Sequence, residues 1–169
     1  MDGARGCARG EARPAGFRDR VLRSGRLHMD LGPVGETREP VGDPWRDLEQ
    51  WFAAHLELQR RYEMTRGCPF GTLGNEVSAN DELIRQDVSL IFEVVKHKLA
   101  SFFLKEKAKG RLAKRADTQR MADFCLATIQ GAMLMGNIKR NSQPVEAAAR
   151  EAIAHVKSYL VKYVPRVPG

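Results

Sequence analysis

The sequence predicts an all-α protein organised around the 23 residues from Asp117 to Lys139. That segment has no proline and begins with an acidic residue suited to a helix N-cap, so we expect a helix about 35 Å long at about 1.5 Å per residue. Other segments repeat apolar residues at steps of three and four, which is typical of amphipathic helices. No strand-length alternation of apolar and polar residues accompanies them.

The apolar residues of 117–139 fall on two faces of the predicted helix, one marked by Met121 and Cys125 and the other by Ile129 and Met133. One face can pack against the core of its own chain, and the other needs a second partner. A copy of the chain across a two-fold axis is the simplest source. The alternative is a central helix enclosed within one monomer. Polar interruptions exclude a membrane span, which needs about 20 apolar residues.

The start of the chain differs in composition from the rest. Residues 1–44 hold 8 of the 15 glycines and 4 of the 8 prolines, and their basic residues are all arginine. We therefore expect residues 1–43 to form a poorly structured arm, with one interrupted candidate helix from Phe17 to Leu31. The arm is either a solvated linker or an arginine-rich contact to nucleic acid. Residues 164–169 are expected to be a tail.

The first clear helical pattern runs from Trp45 to Thr65 and is rich in aromatic residues. These side chains could line a cavity for an apolar or aromatic ligand, or they could be ordinary core. Gly67 to Asn75 contains three glycines and a proline, which should end the helix and form a tight turn before another short helix. Cys68 in this segment could be a nucleophile, but no His/Asn pair at a recognisable spacing supports that chemistry.

A long helix is predicted from Ser78 or Asn80 to Lys109, with Gly110 as the stop signal. Much of the net charge of +7 lies between Lys96 and Arg115. Basic residues near a helix C-terminus favour the helix dipole, and the same residues could instead bind nucleic acid.

The last predicted helix spans residues 143–162 and contains a cluster of alanines. With 117–139 it should form an antiparallel hairpin, and two hairpins from two subunits would form a four-helix bundle.

Three cysteines, all more than 50 residues apart, favour neither a disulfide framework nor a zinc site. Together with the absence of a secretory signal pattern, they predict a cytoplasmic protein without a metal or cofactor. No catalytic motif of an esterase, metalloprotease or phosphate-binding enzyme occurs, so an enzyme is not expected.

The segment Gly67-Cys68-Pro69-Phe70-Gly71, followed by a long helix and then by Gln130-Gly131, resembles the C-terminal regulatory domain of TetR-family transcriptional repressors. The resemblance covers about residues 44–163. It implies a domain that binds a small effector and dimerises through its last two long helices. Residues 1–43 show no helix-turn-helix pattern, so we expect no recognisable DNA-binding head there. Translation from a shifted frame or an incorrect start could produce such a composition.

The resemblance and the helix faces together give candidate site residues. The candidate ligand-binding residues are Trp51, Phe52, His55, Phe70, Phe92 and Phe124. The candidate dimer-interface residues are Met121, Cys125, Ile129, Met133, Ala149, Ile153 and Val156.

The predicted function is that of the effector-binding and dimerisation portion of a TetR-type regulator. Its expected partners are a second copy, a small apolar or aromatic effector, and operator DNA only where a helix-turn-helix head is present. No membrane partner is expected. Two alternatives stay open: an interaction protein that heterodimerises with a full-length relative, and a basic helical protein that binds nucleic acid directly.

Overall fold

A computed structural model describes residues 45–77 and 81–161, with the backbone alone at 76 and 77. The predicted arm over 1–43, its candidate helix and the tail over 164–169 lie outside these residues. The described helices are α1 (Trp45–Arg61), α2 (Pro69–Val77), α3 (Glu82–Ala108), α4 (Thr118–Lys139) and α5 (Gln143–Lys157). Within the described ranges the β pairing is an isolated bridge between Leu112 and Leu160, so the all-α prediction is confirmed. No helix in these ranges combines the length and apolar character that crossing a membrane requires.

Helix α4 is the centre of the fold, because α5, α3 and α1 all pack against it. The N-cap predicted from the sequence is confirmed: the Asp117 side chain accepts hydrogen bonds of 3.1 Å from the backbone N–H groups of Gln119 and Arg120. At its other end, Arg140 adopts a left-handed conformation with φ 53°. The chain then reverses into α5, which makes the predicted helical hairpin.

Two apolar clusters stabilise the arrangement. The larger one joins α1, α3, α4 and α5, and its most enclosed large side chains include Phe52, Leu99, Phe103 and Ile129, each at most 1% exposed. The smaller one joins α2 to α3 through Phe70, Leu73, Ile84, Val88 and Ile91. Cys68 packs against both clusters, so the start of α2 lies where they meet.

Two helices end earlier than predicted. Helix α1 ends at Arg61 instead of Thr65, because Glu63 and Met64 take left-handed φ values of 51° and 55°. This turn directs Met64 into the core, where it is 5% exposed. Helix α5 ends at Lys157 instead of residue 162, and the chain beyond it pairs with the α3–α4 link, Val161 N–H donating to the Arg111 carbonyl at 3.0 Å.

The glycine-rich segment is helical over most of the stretch predicted to be a turn. Pro69 opens α2, a position where its missing N–H is tolerated. Gly71 and Gly74 lie inside the helix because neighbouring groups approach closely. An added Cβ would be 3.2 Å from Gln130 Oε1 at position 71 and 3.4 Å from Val88 Cγ1 at position 74. Close packing against α4 and α3 therefore explains these glycines better than turn geometry.

We expect Gly136→Ala to destabilise the protein by about 1 kcal/mol. Gly136 is buried in α4, and an added Cβ would be 2.8 Å from Met64 Cε and 3.2 Å from both the Asn141 carbonyl oxygen and Val145 Cγ2. Overpacking of this kind costs about 1–3 kcal/mol, against a helix gain of about 0.5–1 kcal/mol for replacing glycine. Urea denaturation measures the difference.

Gly131→Ala on the same helix is the matched control, since an added Cβ there meets nothing within 4 Å. It should stabilise the chain by about 0.5–1 kcal/mol. Equal stabilisation by both substitutions, with the oligomeric state unchanged, would contradict the close packing at Gly136.

Candidate functional site: two connected cavities beside α4

Two adjacent cavities lie beside α4. The inner cavity has a volume of about 50 Å³ and is the more enclosed, and the outer one, which is more open to solvent, has a volume of about 330 Å³. Cys68, Phe92 and Gln130 line both, so the cavities meet at these three side chains. The remainder of the inner lining is mostly apolar and includes His55, Leu58, Phe70, Ile91, Leu126 and Met133. The remainder of the outer lining includes Gly67, Gly71, Thr72, Asn75, Leu134 and Asn137.

Helix α1 supplies the inner cavity with one polar ring, His55. Its Nδ1 lies 2.8 Å from the Trp51 carbonyl oxygen one helical turn earlier. A carbonyl oxygen can only accept, so Nδ1 carries the hydrogen and donates. The ring also packs edge-on against the Trp51 ring at 4.5 Å between centroids. Both contacts hold the imidazole, which is 8% exposed, in one orientation at the cavity wall.

Gln130 of α4 lies where the inner and outer cavities meet. Its side-chain amide lies against α2 at Gly71, where any larger residue would crowd Oε1. None of the residues that the structure describes hydrogen-bonds this amide. The amide therefore keeps both a donor and an acceptor available where the cavities meet.

The loop that leads into α2 is attached to the end of α4. The Asn137 side-chain amide is oriented so that its nitrogen faces acceptors and its oxygen faces donors. In this orientation Nδ2 donates to the carbonyl oxygens of Met64 and Thr65, both at 3.2 Å. Arg140 Nη1 donates to the same Met64 carbonyl at 3.3 Å. These bonds join the mouth of the outer cavity to the last turn of α4.

The structure brings together three of the six predicted ligand-binding residues, since His55, Phe70 and Phe92 line the inner cavity. Trp51 and Phe52 line neither cavity and belong to the main core, where Trp51 supports His55 from behind. Phe124 lies elsewhere: it is 39% exposed, and its ring stacks on His155 of α5 at 4.6 Å. It is six residues from Gln130, which is about 240° around the helix at 3.6 residues per turn.

The two described cysteines should differ strongly in reactivity. Cys125 is fully buried, and burial raises its thiol pKa to about 12, so at pH 8 only about one molecule in ten thousand carries the reactive thiolate. Cys68 is half-buried at the cavities. In a Cys7→Ser background, a thiol reagent at pH 8 should label one site in the folded protein and a second only after unfolding.

Cys68→Ser in the same background should remove the labelling of the folded protein. Persistent rapid labelling of that double variant would mean that Cys125 is accessible, contrary to its burial.

The basic segment between Lys96 and Arg115 is largely engaged within the chain. Lys96 pairs with Asp123 at 2.8 Å, and Lys107 Nζ donates to the Ala116 carbonyl at 2.6 Å. Arg111 and Lys109 both pair with the buried carboxylate of Glu106, at 3.1 and 3.6 Å. These cations therefore hold α3, α4 and their link together, which is a structural explanation for much of the segment that had suggested nucleic-acid binding.

Comparison with known proteins decides the family. The family described as "Tetracyclin repressor-like, C-terminal domain" matches residues 44–152, well over half of the chain. The chain belongs to this family. The resemblance predicted from the sequence is thus confirmed, and the domain is a regulatory one and not an enzyme.

Individual relatives agree with this assignment. The HTH-type transcriptional repressor DhaR from Mycobacterium sp. (strain GP1) is 28% identical over 103 residues, which cover 61% of this chain and 50% of that protein. The chain therefore spans about half the length of this curated relative.

Two crystal structures show the same fold. The regulatory protein TetR from Rhodobacter sphaeroides superposes with a TM-score of 0.62 at 22% identity, covering 86% of this chain and 69% of that one. A TetR transcriptional regulator from Chloroflexus aurantiacus J-10-FL gives a TM-score of 0.65 at 18% identity, covering 84% and 69%.

In this tetracyclin repressor-like domain, the predicted dimer-interface residues need correction. Five of the seven are at most 3% exposed within a single chain, so little of their side chains can contact a partner: Met121, Cys125, Ile129, Met133 and Val156. Ala149 and Ile153 are half-buried. The prediction took residues from both apolar faces identified on α4, and the structure encloses the residues that mark each of these faces within the single chain.

The exposed apolar residues lie on the other side of the hairpin. Those on α4 share one side of the helix at separations of three, four and seven residues, and the Phe124–His155 ring contact continues the surface onto α5. We refer to this surface as the α4/α5 face, defined by Phe124, Ala127, Leu134, Met135, Ile138, Ala154 and His155.

Sequence reasoning missed several cavity residues of this tetracyclin repressor-like domain, chiefly Gln130 and Cys68. Gln130 was part of the motif that carried the family resemblance, but it was not assigned to the site. A second signal was available in Gly67, Gly71 and Gly74, of which the last two are three residues apart on one side of α2 and the first lies in the loop just before it. All three line the outer cavity.

Proposed function

We propose that this tetracyclin repressor-like domain is the effector-binding and dimerisation part of a cytoplasmic transcriptional regulator, and that the two connected cavities hold the effector. The single observation that carries the proposal is the position of α4. One side of this helix lines both cavities, and the adjacent side carries most of the α4/α5 face. Leu134 belongs to both the outer cavity and that face, so an effector there would contact a residue at the edge of the dimer surface.

The α4/α5 face is the proposed dimer surface, in place of the buried residues predicted from sequence. Ile138 is 66% exposed and Leu134 is 50% exposed, which is a large apolar area for a solvated surface. The family resemblance implies dimerisation through these two helices. A two-fold axis across the face would place two α4–α5 hairpins together as a four-helix bundle.

The mechanism follows from the elements shared between cavity and face. An effector between α2 and α4 has to contact Gln130 and the residues around it, so it favours whichever arrangement of the two helices accommodates it. Any shift of α4 moves the α4/α5 face and the geometry of the dimer. DhaR is named as an HTH-type transcriptional repressor. We propose that, in the regulator in which this domain works, the output is control of DNA binding.

The proposal is tested by thermal unfolding with a panel of small alcohols, amides, esters, carboxylates, amines and aromatic compounds. A ligand that binds only the native state at 100 times its Kd adds about 2.7 kcal/mol of stability, which corresponds to a rise in Tm of about 5 to 10 °C for a chain of this size.

Thr72→Trp, which fills the outer cavity from an exposed position on α2, should abolish the shift. The matched control, Ser89→Trp, lies on an exposed part of α3 outside both cavities and should retain it. The effector-binding proposal fails if no compound raises the Tm, or if Thr72→Trp leaves intact the shift caused by a compound that is too large for the inner cavity.

A further inference from the structure

Among the residues that the structure describes, the side chains lining the two cavities carry no permanent charge. No described aspartate, glutamate, lysine or arginine lines either cavity. The polar groups present are neutral: the amides of Gln130, Asn75 and Asn137 and the hydroxyl of Thr72. A charged ligand group would have to shed water without gaining a counter-charge, which is strongly unfavourable. The lining chemistry therefore selects uncharged ligands.

The inner cavity is also small. A cavity that holds benzene has a volume of roughly 150 Å³, whereas one water-sized group needs roughly 15 Å³. A volume of about 50 Å³ therefore accommodates three or four such groups and no aromatic ring. Its walls are close-packed side chains of the two apolar clusters, including Phe70 and Met133, so enlarging it would disturb the core.

We propose that the connected cavities bind an uncharged ligand with a slender aliphatic end, and that the Gln130 side-chain amide hydrogen-bonds the ligand's hydroxyl, carbonyl or amide group. This inference rests on the proposed effector-binding function and specifies its ligand class. An aliphatic end of three or four carbons fills the inner cavity. The polar group then lies at Gln130, where an amide can both donate and accept, and any remaining part of the ligand extends into the outer cavity.

The test is a series of five-carbon compounds that differ only in the head group: pentan-1-ol, pentanoate and pentylammonium. A short chain is chosen because it places the head group at Gln130 instead of leaving it in solvent. Binding is measured by calorimetry and by thermal unfolding at constant ionic strength. Pentan-1-ol should bind at least tenfold more tightly than either charged compound, and benzyl alcohol, with a ring too wide for the inner cavity, should also bind more weakly.

Substitution of Gln130 tests the role of its amide. Gln130→Leu keeps a similar volume and should weaken pentan-1-ol binding about fivefold to tenfold, the effect of losing one hydrogen bond. Gln130→Glu should invert the preference and favour pentylammonium. The matched control is Gln119→Leu, at an exposed position of the same helix outside the cavities, and it should bind like the parent protein.

The outcomes separate this inference from the proposed function. If pentanoate, pentylammonium or benzyl alcohol binds as tightly as pentan-1-ol, the ligand class is overturned while effector binding stands. If Gln130→Leu binds pentan-1-ol unchanged, the role of the amide is overturned. If none of the five-carbon compounds binds, the ligand class is overturned, and the proposed function falls with it only if the broader panel also fails to stabilise the protein.

Discussion

Replacing Ile138 by glutamate is expected to convert a dimer of this protein into folded monomers. Ile138 is 66% exposed near the end of α4, lines neither cavity and contributes to the α4/α5 face. In a two-fold dimer through that face the substitution places a carboxylate from each subunit in an apolar interface. Truncation of a central contact already costs more than about 2 kcal/mol, and a buried charge adds to it, so the dissociation constant should rise at least about 100-fold.

Two matched substitutions show whether the effect belongs to this face. Ile129→Glu lies on the same helix but faces the core, where Ile129 is fully enclosed, so it should cost more than about 4 kcal/mol and unfold the chain. Leu104→Glu lies on α3, where Leu104 is 59% exposed and does not belong to the α4/α5 face, and should leave both fold and assembly unchanged. Sedimentation velocity reports the assembly, and circular dichroism reports the fold.

The comparison contradicts the proposed surface if Ile138→Glu remains as dimeric as Leu104→Glu. It contradicts the assignment of the core face if Ile129→Glu is folded and monomeric. If this chain dimerises only with a related chain, the parent protein alone should be a monomer. It should associate when the related chain is added, and the Ile138→Glu variant should not.

The fold class and the helix order could be predicted because they depend on local signals. The three- and four-residue periodicity of α3, the Asp117 cap and the Gly110 stop each act within a few residues, and the structure confirms all three. At Gly110 the chain takes φ 74°, a conformation that glycine adopts without strain. Such short-range sequence signals can be interpreted without knowing which distant parts of the chain pack together.

The side of α4 that faces the core could not be predicted from the sequence, because the helix carries apolar residues on more than one side. Met133 and Leu134 are adjacent in sequence and equally apolar, yet Met133 is 2% exposed and Leu134 is 50% exposed. Which one is enclosed depends on how α1, α3 and α5 surround the helix, and that is a property of the tertiary packing. The same reason explains why Phe124 was assigned to the cavity: it was chosen by its predicted helix face and by the family resemblance, but its neighbours depend on how the other helices surround α4.

The glycines of α2 show a second reason why the sequence alone did not predict the structure. Glycine lowers helix propensity by about 1 kcal/mol relative to alanine, so the sequence favoured a turn across residues 67–75. Tertiary contacts with Gln130 and Val88 override that preference. The apolar periodicity of α5 also continued past the true end of the helix. Leu160 packs against the main apolar cluster, but it does so from a non-helical segment that pairs with Leu112.

Replacing Arg111 by alanine is expected to destabilise the protein by about 2–3 kcal/mol. The Glu106 carboxylate is 4% exposed at the end of α3, and Arg111 Nη1 lies 3.1 Å from its Oε2. Losing one partner of a buried ion pair typically costs about 3–5 kcal/mol. The expected loss is smaller here because Arg111 is 38% exposed and Lys109 stays 3.6 Å from the same carboxylate. Urea denaturation monitored by tryptophan fluorescence measures the change.

The Arg111→Ala cost could come from the unpaired Glu106 carboxylate or from lost packing of the arginine side chain. Adding Glu106→Gln to Arg111→Ala distinguishes these two causes. If the cost of Arg111→Ala comes from a buried carboxylate without its partner, the double variant should be more stable than Arg111→Ala alone, since a neutral amide is less costly to bury than an ion. Lys114→Ala, an exposed cation in the same link, should change stability by less than about 0.5 kcal/mol. A double variant as unstable as the sum of its single substitutions would mean that Arg111 stabilises the link by packing, and that Glu106 depends on Lys109 alone.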